Sequence, residues 1–142
     1  MNMANTEFSL PLRVYIEDTD AGGIVYYINY LKYMERARTE FMRSLGYAKT
    51  AIFADDLMFV VHTSNVQYLD SARLDDEVVV TAKPVKMGKT NICFHQQVRR
   101  GTSVLCRADI RIACVDQKNR KPRAMPVSMQ QTIQSFITVP EE

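Results

Sequence analysis

From Phe8 to Ile16 apolar residues recur at every second position, as Phe8, Leu10, Leu12, Val14 and Ile16. A period of two sends alternate side chains to opposite faces of an extended chain, so this spacing predicts a half-buried strand. From Asn29 the period lengthens. Tyr30, Met34, Ala37, Phe41 and Leu45 fall on one face of a helix of about four turns, while Glu35, Arg36, Glu40 and Arg43 lie mostly off it. Asn29 is the expected N-cap, and Gly46 stands where a left-handed residue would end the helix.

A short helical connection is expected around Lys49 to Ala54, followed by strands at Met58 to Tyr68, Glu77 to Val85, Asn91 to Arg99 and Ser103 to Val115. No helical pattern intervenes. Lys86-Met87-Gly88-Lys89 and Arg100-Gly101-Thr102 are hairpin-sized turns containing glycine, so neighbouring strands should pair antiparallel. In the last strand Val104, Cys106, Ala108, Ile110, Ile112 and Cys114 face one way and Arg107, Asp109 and Arg111 the other. Pro126 marks the first turn of a terminal helix reaching Ile137. The expected fold is α+β, one long central helix wrapped by a five-stranded antiparallel sheet, forming a single domain over residues 1–142. One helix covers such a sheet incompletely, and the leftover apolar surface and long open edges predict a dimer joined sheet to sheet.

With 142 residues, 46% of them hydrophobic, the chain can build a core without disulfides or metal. A net charge of +2 is too small for a dedicated nucleic-acid binder. Cys93, Cys106 and Cys114 form no CxxC pair and read as small buried hydrophobes. His62 and His95 belong to no metal-ligand motif, so no metal site is expected. Met1 to Pro11 lacks the pattern of a signal peptide, and no run approaches the ~20 apolar residues of a membrane helix. A cytoplasmic protein with no transmembrane segment is expected.

The segment from Glu17 to Tyr30 concentrates chemistry between the first strand and the helix. It holds Asp18 and Asp20, the pair Gly22-Gly23 and a helix start. Such a loop combines a base or nucleophile with backbone that a ligand can approach closely. Taken alone, Asp-x-Asp followed by Gly-Gly is more often a plain turn.

The stretch Arg13-Val14-Tyr15-Ile16-Glu17-Asp18-Thr19-Asp20-Ala21-Gly22-Gly23-Ile24-Val25-Tyr26, with Asn29-Tyr30 and Met34-Glu35-Arg36-Ala37-Arg38-Thr39-Glu40, resembles the signature of the hotdog-fold acyl-CoA thioesterases of the 4-hydroxybenzoyl-CoA thioesterase family. The branch it is most similar to is the YbgC type associated with the Tol-Pal system. Similarity runs on through Ala72-Arg73-Leu74-Asp75-Asp76, Cys114-Val115-Asp116 and Lys121-Pro122-Arg123-Ala124-Met125-Pro126.

The resemblance implies a hotdog fold and acyl-CoA thioester hydrolysis, with Asp20 as the catalytic carboxylate and Asp18 as its orienting neighbour beside the substrate. Whether Asp20 attacks the thioester carbon or activates a water stays open. Where the family often has His, this chain has Tyr27, as in the aromatic-acyl branch. Tyr27 is read as hydrogen-bonding or lining the acyl pocket, with buried packing the other reading. Candidate oxyanion donors are Gly22 and Gly23, and backbone near Phe59 and Val60 supplied by a neighbouring subunit. Tyr30, Met34, Phe59 and Val61 are candidates for contact with the acyl chain, with plain core packing the commoner role for such residues.

Lys86 and Lys89 are candidates for holding the carrier's phosphates, although a lysine run is more often a solvated face. The same holds for Lys118, Arg120, Lys121 and Arg123. A homodimer or homotetramer is implied, acyl carrier protein is a possible alternative carrier, and no cofactor is expected. Two other readings stand beside this one. A dehydratase on the same fold calls for a catalytic His before the helix, which Tyr27 does not supply, and a non-catalytic acyl-thioester-binding scaffold would have no need of Asp20 and its glycines.

Overall fold

The computed structural model describes residues 7–48 and 56–137, so the helical connection expected around Lys49 to Ala54 lies outside the described residues. The elements run β1 (Phe8–Arg13), a 3-10 turn (Ile16–Asp18), α1 (Ile28–Ser44), β2 (Leu57–Tyr68), β3 (Glu77–Met87), β4 (Asn91–Arg100), β5 (Ser103–Asp116) and α2 (Val127–Gln134). The strands form one antiparallel sheet in the order β1-β3-β4-β5-β2. The four later strands match the expected spans to within one or two residues.

α1 lies across the β1, β3 and β4 half of the sheet. Its apolar stripe is wider than the period alone suggested, because Tyr33 and Met42 join Tyr30, Met34, Ala37 and Phe41 among the buried residues. Phe41 is the centre of this contact, meeting Phe8, Phe94 and Phe136 edge-on with ring centroids 5.9, 5.8 and 5.4 Å away. Edge-to-face pairs of this kind add about 0.5–1.5 kcal/mol each beyond their buried area. Arg38 is also buried, donating to Gln96 Oε1 at 2.9 Å, and Gln96 Nε2 in turn donates to the carbonyls of Met34 and Thr81. The guanidinium is thus partnered rather than stranded.

The helix ends as its sequence predicts. Gly46 adopts φ +92°, and the amides of Gly46 and Tyr47 close back on the carbonyls of Arg43 and Met42 at 3.0 and 2.9 Å. This is a Schellman cap. The start differs by two residues, since Tyr27 occupies the N-cap and Asn29 lies inside the first turn. The Asn29 side chain is drawn to the Asp18 carboxylate instead of to the helix amides.

β1 also stops short of its pattern, because after Arg13 the chain turns into the 3-10 segment and leaves Ile16 76% exposed. At the other end, Pro126 occupies the N-cap of α2, which stops at Gln134 and so ends three residues short of the expected Ile137. A β-bulge interrupts β4–β5, where Val98 pairs with Cys106 but Arg99 pairs with Val104. Leu105 is the extra residue, fully buried, and its carbonyl accepts the amides of Leu69 and Asp70.

Among the described residues β2 pairs only with β5 and forms an edge of the sheet. Beneath it runs a shallow cavity of about 260 Å³, bounded by Ile28, Leu31, Lys32, Glu35 and Arg38 of α1 and by Val61, Ser64 and Ile110 of the sheet. This is the part of the sheet that α1 leaves uncovered.

Candidate active site

Residues Thr19 to Val25 fold back on themselves between the 3-10 turn and α1. Thr19 bridges to Val25, and the Asp20 amide donates to the Ile24 carbonyl at 2.9 Å. The Asp20 side chain reaches into the turn and accepts the Gly22 amide on Oδ1 at 2.8 Å, while the Gly23 amide donates to the Asp20 carbonyl at 3.0 Å. Gly23 sits at φ +80°, the left-handed region that glycine enters without strain. The outcome is an exposed carboxylate held on Oδ1 by a backbone bond.

Asp18 has the opposite environment. It is 7% exposed, and its carboxylate accepts the Tyr15 amide on Oδ2 at 2.9 Å and the Asn29 side chain on Oδ1 at 3.0 Å. The Tyr33 hydroxyl is buried beside it without a hydrogen bond of good geometry, and burial first and the neighbouring Asp18 carboxylate second push that phenol upward. Asp18 therefore ties the 3-10 turn to the first turn of α1.

The glycine amides proposed as oxyanion donors are both spent on Asp20 itself in this arrangement. The amides of Tyr27 and Ile28 open α1 before its first i to i−4 bond can form, and they carry the positive end of the helix dipole. Tyr27 itself is 53% exposed instead of packed. Its ring lies 5.0 Å from Tyr26 and meets Tyr68 edge-on at 5.7 Å, and Tyr68 in turn lies 5.9 Å from Tyr30. Burial raises the Tyr68 phenol. Tyr30 and Met34 are core residues, whereas Phe59 is half-buried and Val61 is 55% exposed on the edge strand.

An irregular segment, residues 69–76, runs alongside the Asp20 loop. Ile24 bridges to Arg73, the Val25 amide donates to the Ala72 carbonyl at 2.9 Å, and the Leu74 amide donates to the Gly23 carbonyl at 3.1 Å. The Ala72 amide is taken by the buried Tyr30 hydroxyl at 2.9 Å. Reading the residue types did not reveal this contact. The available signal was Ala72-Arg73-Leu74-Asp75-Asp76, a second acidic turn far along the chain.

The remaining candidates lie elsewhere. In the ladder, Arg13 pairs with Glu77 and Tyr68 with Cys106 at the end that carries the Asp20 loop. Phe59, Val60, Lys86 and Lys89 belong to the opposite end, where Val60 pairs with Ala113 and Ala113 with Asn91. β3 spans both ends from Glu77 to Met87, a distance of about 30 Å at the usual rise of a strand. A single chain thus separates Asp20 from these residues.

Lys118, Arg120, Lys121 and Arg123 follow β5 at that same far end. His95 is hydrogen-bonded to Asp109 at 3.0 Å on the outer face of the sheet, and Cys106 and Cys114 are buried with thiols pushed up to about 12 and about 11 by desolvation. Among the described residues no group of His, Cys, Asp and Glu is arranged to hold a metal ion, and no helix is long and apolar enough to cross a membrane.

The sequence profile of the thioesterase-like superfamily matches residues 14–133. The chain is 42% identical over 125 residues to an acyl-CoA thioesterase YbgC of Haemophilus influenzae, covering 87% of this chain and 92% of that protein. It is 41% identical over 128 residues to an acyl-CoA thioester hydrolase YbgC of Escherichia coli, covering 89% and 96%. The crystal structure of a probable thioesterase from Bartonella henselae superposes with a TM-score of 0.81 at 29% identity, over 85% of this chain and all of that one (100%).

Proposed function

The chain belongs to the thioesterase-like superfamily, and from that premise we propose that it hydrolyses acyl-CoA thioesters with Asp20 as the reacting carboxylate. The observation that carries this reading is the posture of Asp20, exposed, ionisable and fixed by the Gly22 amide just ahead of a helix N-terminus. As nucleophile, its free oxygen bonds to the thioester carbon, the C–S bond breaks with the coenzyme thiolate leaving, and water then cleaves the mixed anhydride. As base, it takes a proton from the water that attacks the same carbon, and the C–S bond then breaks with the coenzyme thiolate leaving. In either route negative charge grows on the thioester oxygen, and the amides opening α1 supply fixed donors for it.

The working unit in this reading is a homodimer, or a dimer of such dimers. Antiparallel pairing of two β2 edges would set the Phe59 and Val60 end of one protomer beside the Tyr68 end of the other. The charge distribution suits that pairing. Glu17, Asp20, Asp70, Asp75, Asp76 and Glu77 outnumber the cations around the Asp20 loop, while Lys86, Lys89, Lys118, Arg120, Lys121 and Arg123 crowd the far end. The partner's basic end would then approach a substrate seated at Asp20, where coenzyme phosphates need countercharge. An acyl carrier protein presents a related thioester arm and is the alternative carrier. A cytoplasmic location fits an acyl-CoA substrate.

The test is thiol release by the purified protein across short, long and aromatic acyl-CoAs. Turnover of at least one class is expected, and binding of acyl-CoA with no thiol release from any class would favour the scaffold reading.

A further inference from the structure

The Asp20 loop has little structure of its own beyond its turn bonds, and residues 69–76, which hold it, form no strand. Something else must fix that segment. Arg100, at the end of β4, reaches it with both arms of its fork. One nitrogen donates to Asp76 Oδ2 at 2.7 Å and to the Ser71 carbonyl at 3.2 Å, and the other lies 3.9 Å from Asp70.

The same Asp76 oxygen accepts the Arg73 amide at 2.9 Å, so the carboxylate closes the segment into a turn while Arg100 pins that turn to the sheet. Asp75, inside the turn, is held at φ 71°, a left-handed conformation that a residue with a side chain keeps where its surroundings impose it. The opposite face of Arg73 carries the bridge to Ile24, and Ile24 accepts the Asp20 amide.

We propose that Arg100 is a positioning residue for catalysis, holding the Asp20 loop through the Asp76 carboxylate and the Ser71-to-Asp76 turn. The proposal rests on Asp20 being the reacting carboxylate. Arg100 touches neither Asp20 nor the proposed thioester site. It acts by keeping Asp20 within the narrow range of positions in which a carboxylate oxygen and a thioester carbon can react, where a displacement of ~1 Å can cost on the order of a hundredfold in rate. A guanidinium suits this better than an ammonium, because one planar group holds the Asp76 carboxylate and the Ser71 carbonyl through one nitrogen while its other nitrogen faces Asp70.

The test compares Arg100→Gln, Arg100→Lys, Asp76→Asn and the double variant Arg100→Gln/Asp76→Asn by kcat and KM on an acyl-CoA the parent hydrolyses. Amide hydrogen exchange across Gly22 to Val25 and melting temperature are measured on the same samples. Arg107→Gln, on the outer sheet face, is the control. The proposal expects Arg100→Gln and Asp76→Asn each to lower kcat about tenfold with KM within about twofold of the parent. The double variant should lose no more than the worse single one, since both cut the same link. Arg100→Lys should fall between, and loop exchange should quicken in step with the loss of kcat.

Unchanged loop exchange in folded Arg100→Gln and Arg100→Lys overturns the proposal, as do losses that multiply in the double variant. Faster exchange with parent-like kcat overturns it too, provided Asp20→Asn is inactive in the same assay. If Asp20→Asn is itself active, the reading of Asp20 fails instead, and the exchange data alone still decide whether Arg100 holds the loop.

Discussion

Asp18 and Asp20 are separated by one residue and face opposite environments. Asp18 is buried against Asn29 and the Tyr15 amide, while Asp20 stands in solvent with one oxygen held by Gly22. The 3-10 turn ends on Asp18, Thr19 beyond it is extended, and Asp20 opens the next turn with its bonds to Gly22 and Gly23. One carboxylate anchors the loop and the other is presented by it, so the two positions should respond differently to the same change.

Asp18→Asn should act mainly on stability. One of its oxygens becomes an amide nitrogen that opposes either the Tyr15 amide or the Asn29 side chain, and an unsatisfied buried donor costs about 1–3 kcal/mol. Denaturant unfolding should register that loss, with kcat reduced less than in Asp20→Asn. A larger effect on kcat than Asp20→Asn produces would reverse the two roles.

Gly23→Ala should lower both melting temperature and kcat. A side chain at φ +80° costs about 1–3 kcal/mol, and the turn that fixes the Asp20 rotamer must absorb it. At Gly22 a Cβ would meet Asp20 Oδ1 at 3.3 Å, so Gly22→Ala should move the carboxylate and reduce kcat with a smaller thermal penalty. Thermal melts and initial rates on the two variants check both expectations.

Much of this was legible in the sequence. The two hydrophobic periods gave α1 and the strands, and Gly46 marked the helix end because a left-handed cap needs that residue type. The Asp20 loop stood out for the same reason, with its glycines serving the turn. Asn29 misled because an Asn at a helix start ordinarily caps it, and only the fold brings Asp18 within reach. Nothing in the helical period marks Arg38 as buried, and its burial depends on Gln96 arriving from β4, 58 positions away. The clamp of Arg100 on residues 71–76 has no periodic signal at all. It consists of contacts between an irregular segment and a strand end, and such pairing is set by topology rather than by local pattern. That Lys86 and Lys89 lie at the far end of the sheet from Asp20 became visible only from the strand register.

Neutralising both lysines, as Lys86→Gln with Lys89→Gln, should raise KM for acyl-CoA and leave turnover of a small phosphate-free thioester unchanged. Exposed cations pairing with phosphate are screened by salt, so the parent's KM should rise with ionic strength and the variant's should respond less. Equal effects on both substrates, or none on either, would return these lysines to a solvated surface.

The pH dependence of stability carries the signature of Asp76. Its carboxyl is held below the usual carboxylate range, first by the Arg73 amide and then by the Arg100 guanidinium. A depressed folded value means the stabilisation is complete above the ordinary carboxylate value of about 4 and is lost as pH falls through the folded value. The melting-temperature gap between the parent and Asp76→Asn should therefore be widest near neutral pH and narrow below about pH 4. A gap that stays constant down to pH 3 would contradict the depressed value.

The most direct measurement is the kcat of Asp20→Asn on an acyl-CoA that the parent hydrolyses, with the melting temperature taken on the same sample. Asn keeps an oxygen for the Gly22 amide and fits the turn as Asp does, so folding and acyl-CoA binding should survive. It lacks the anionic oxygen that either attacks carbon or takes the proton from water. The account predicts kcat lower by about two orders of magnitude or more at an unchanged melting temperature. Hydrolysis within a few-fold of the parent would contradict it and leave Asp20 a turn-forming residue.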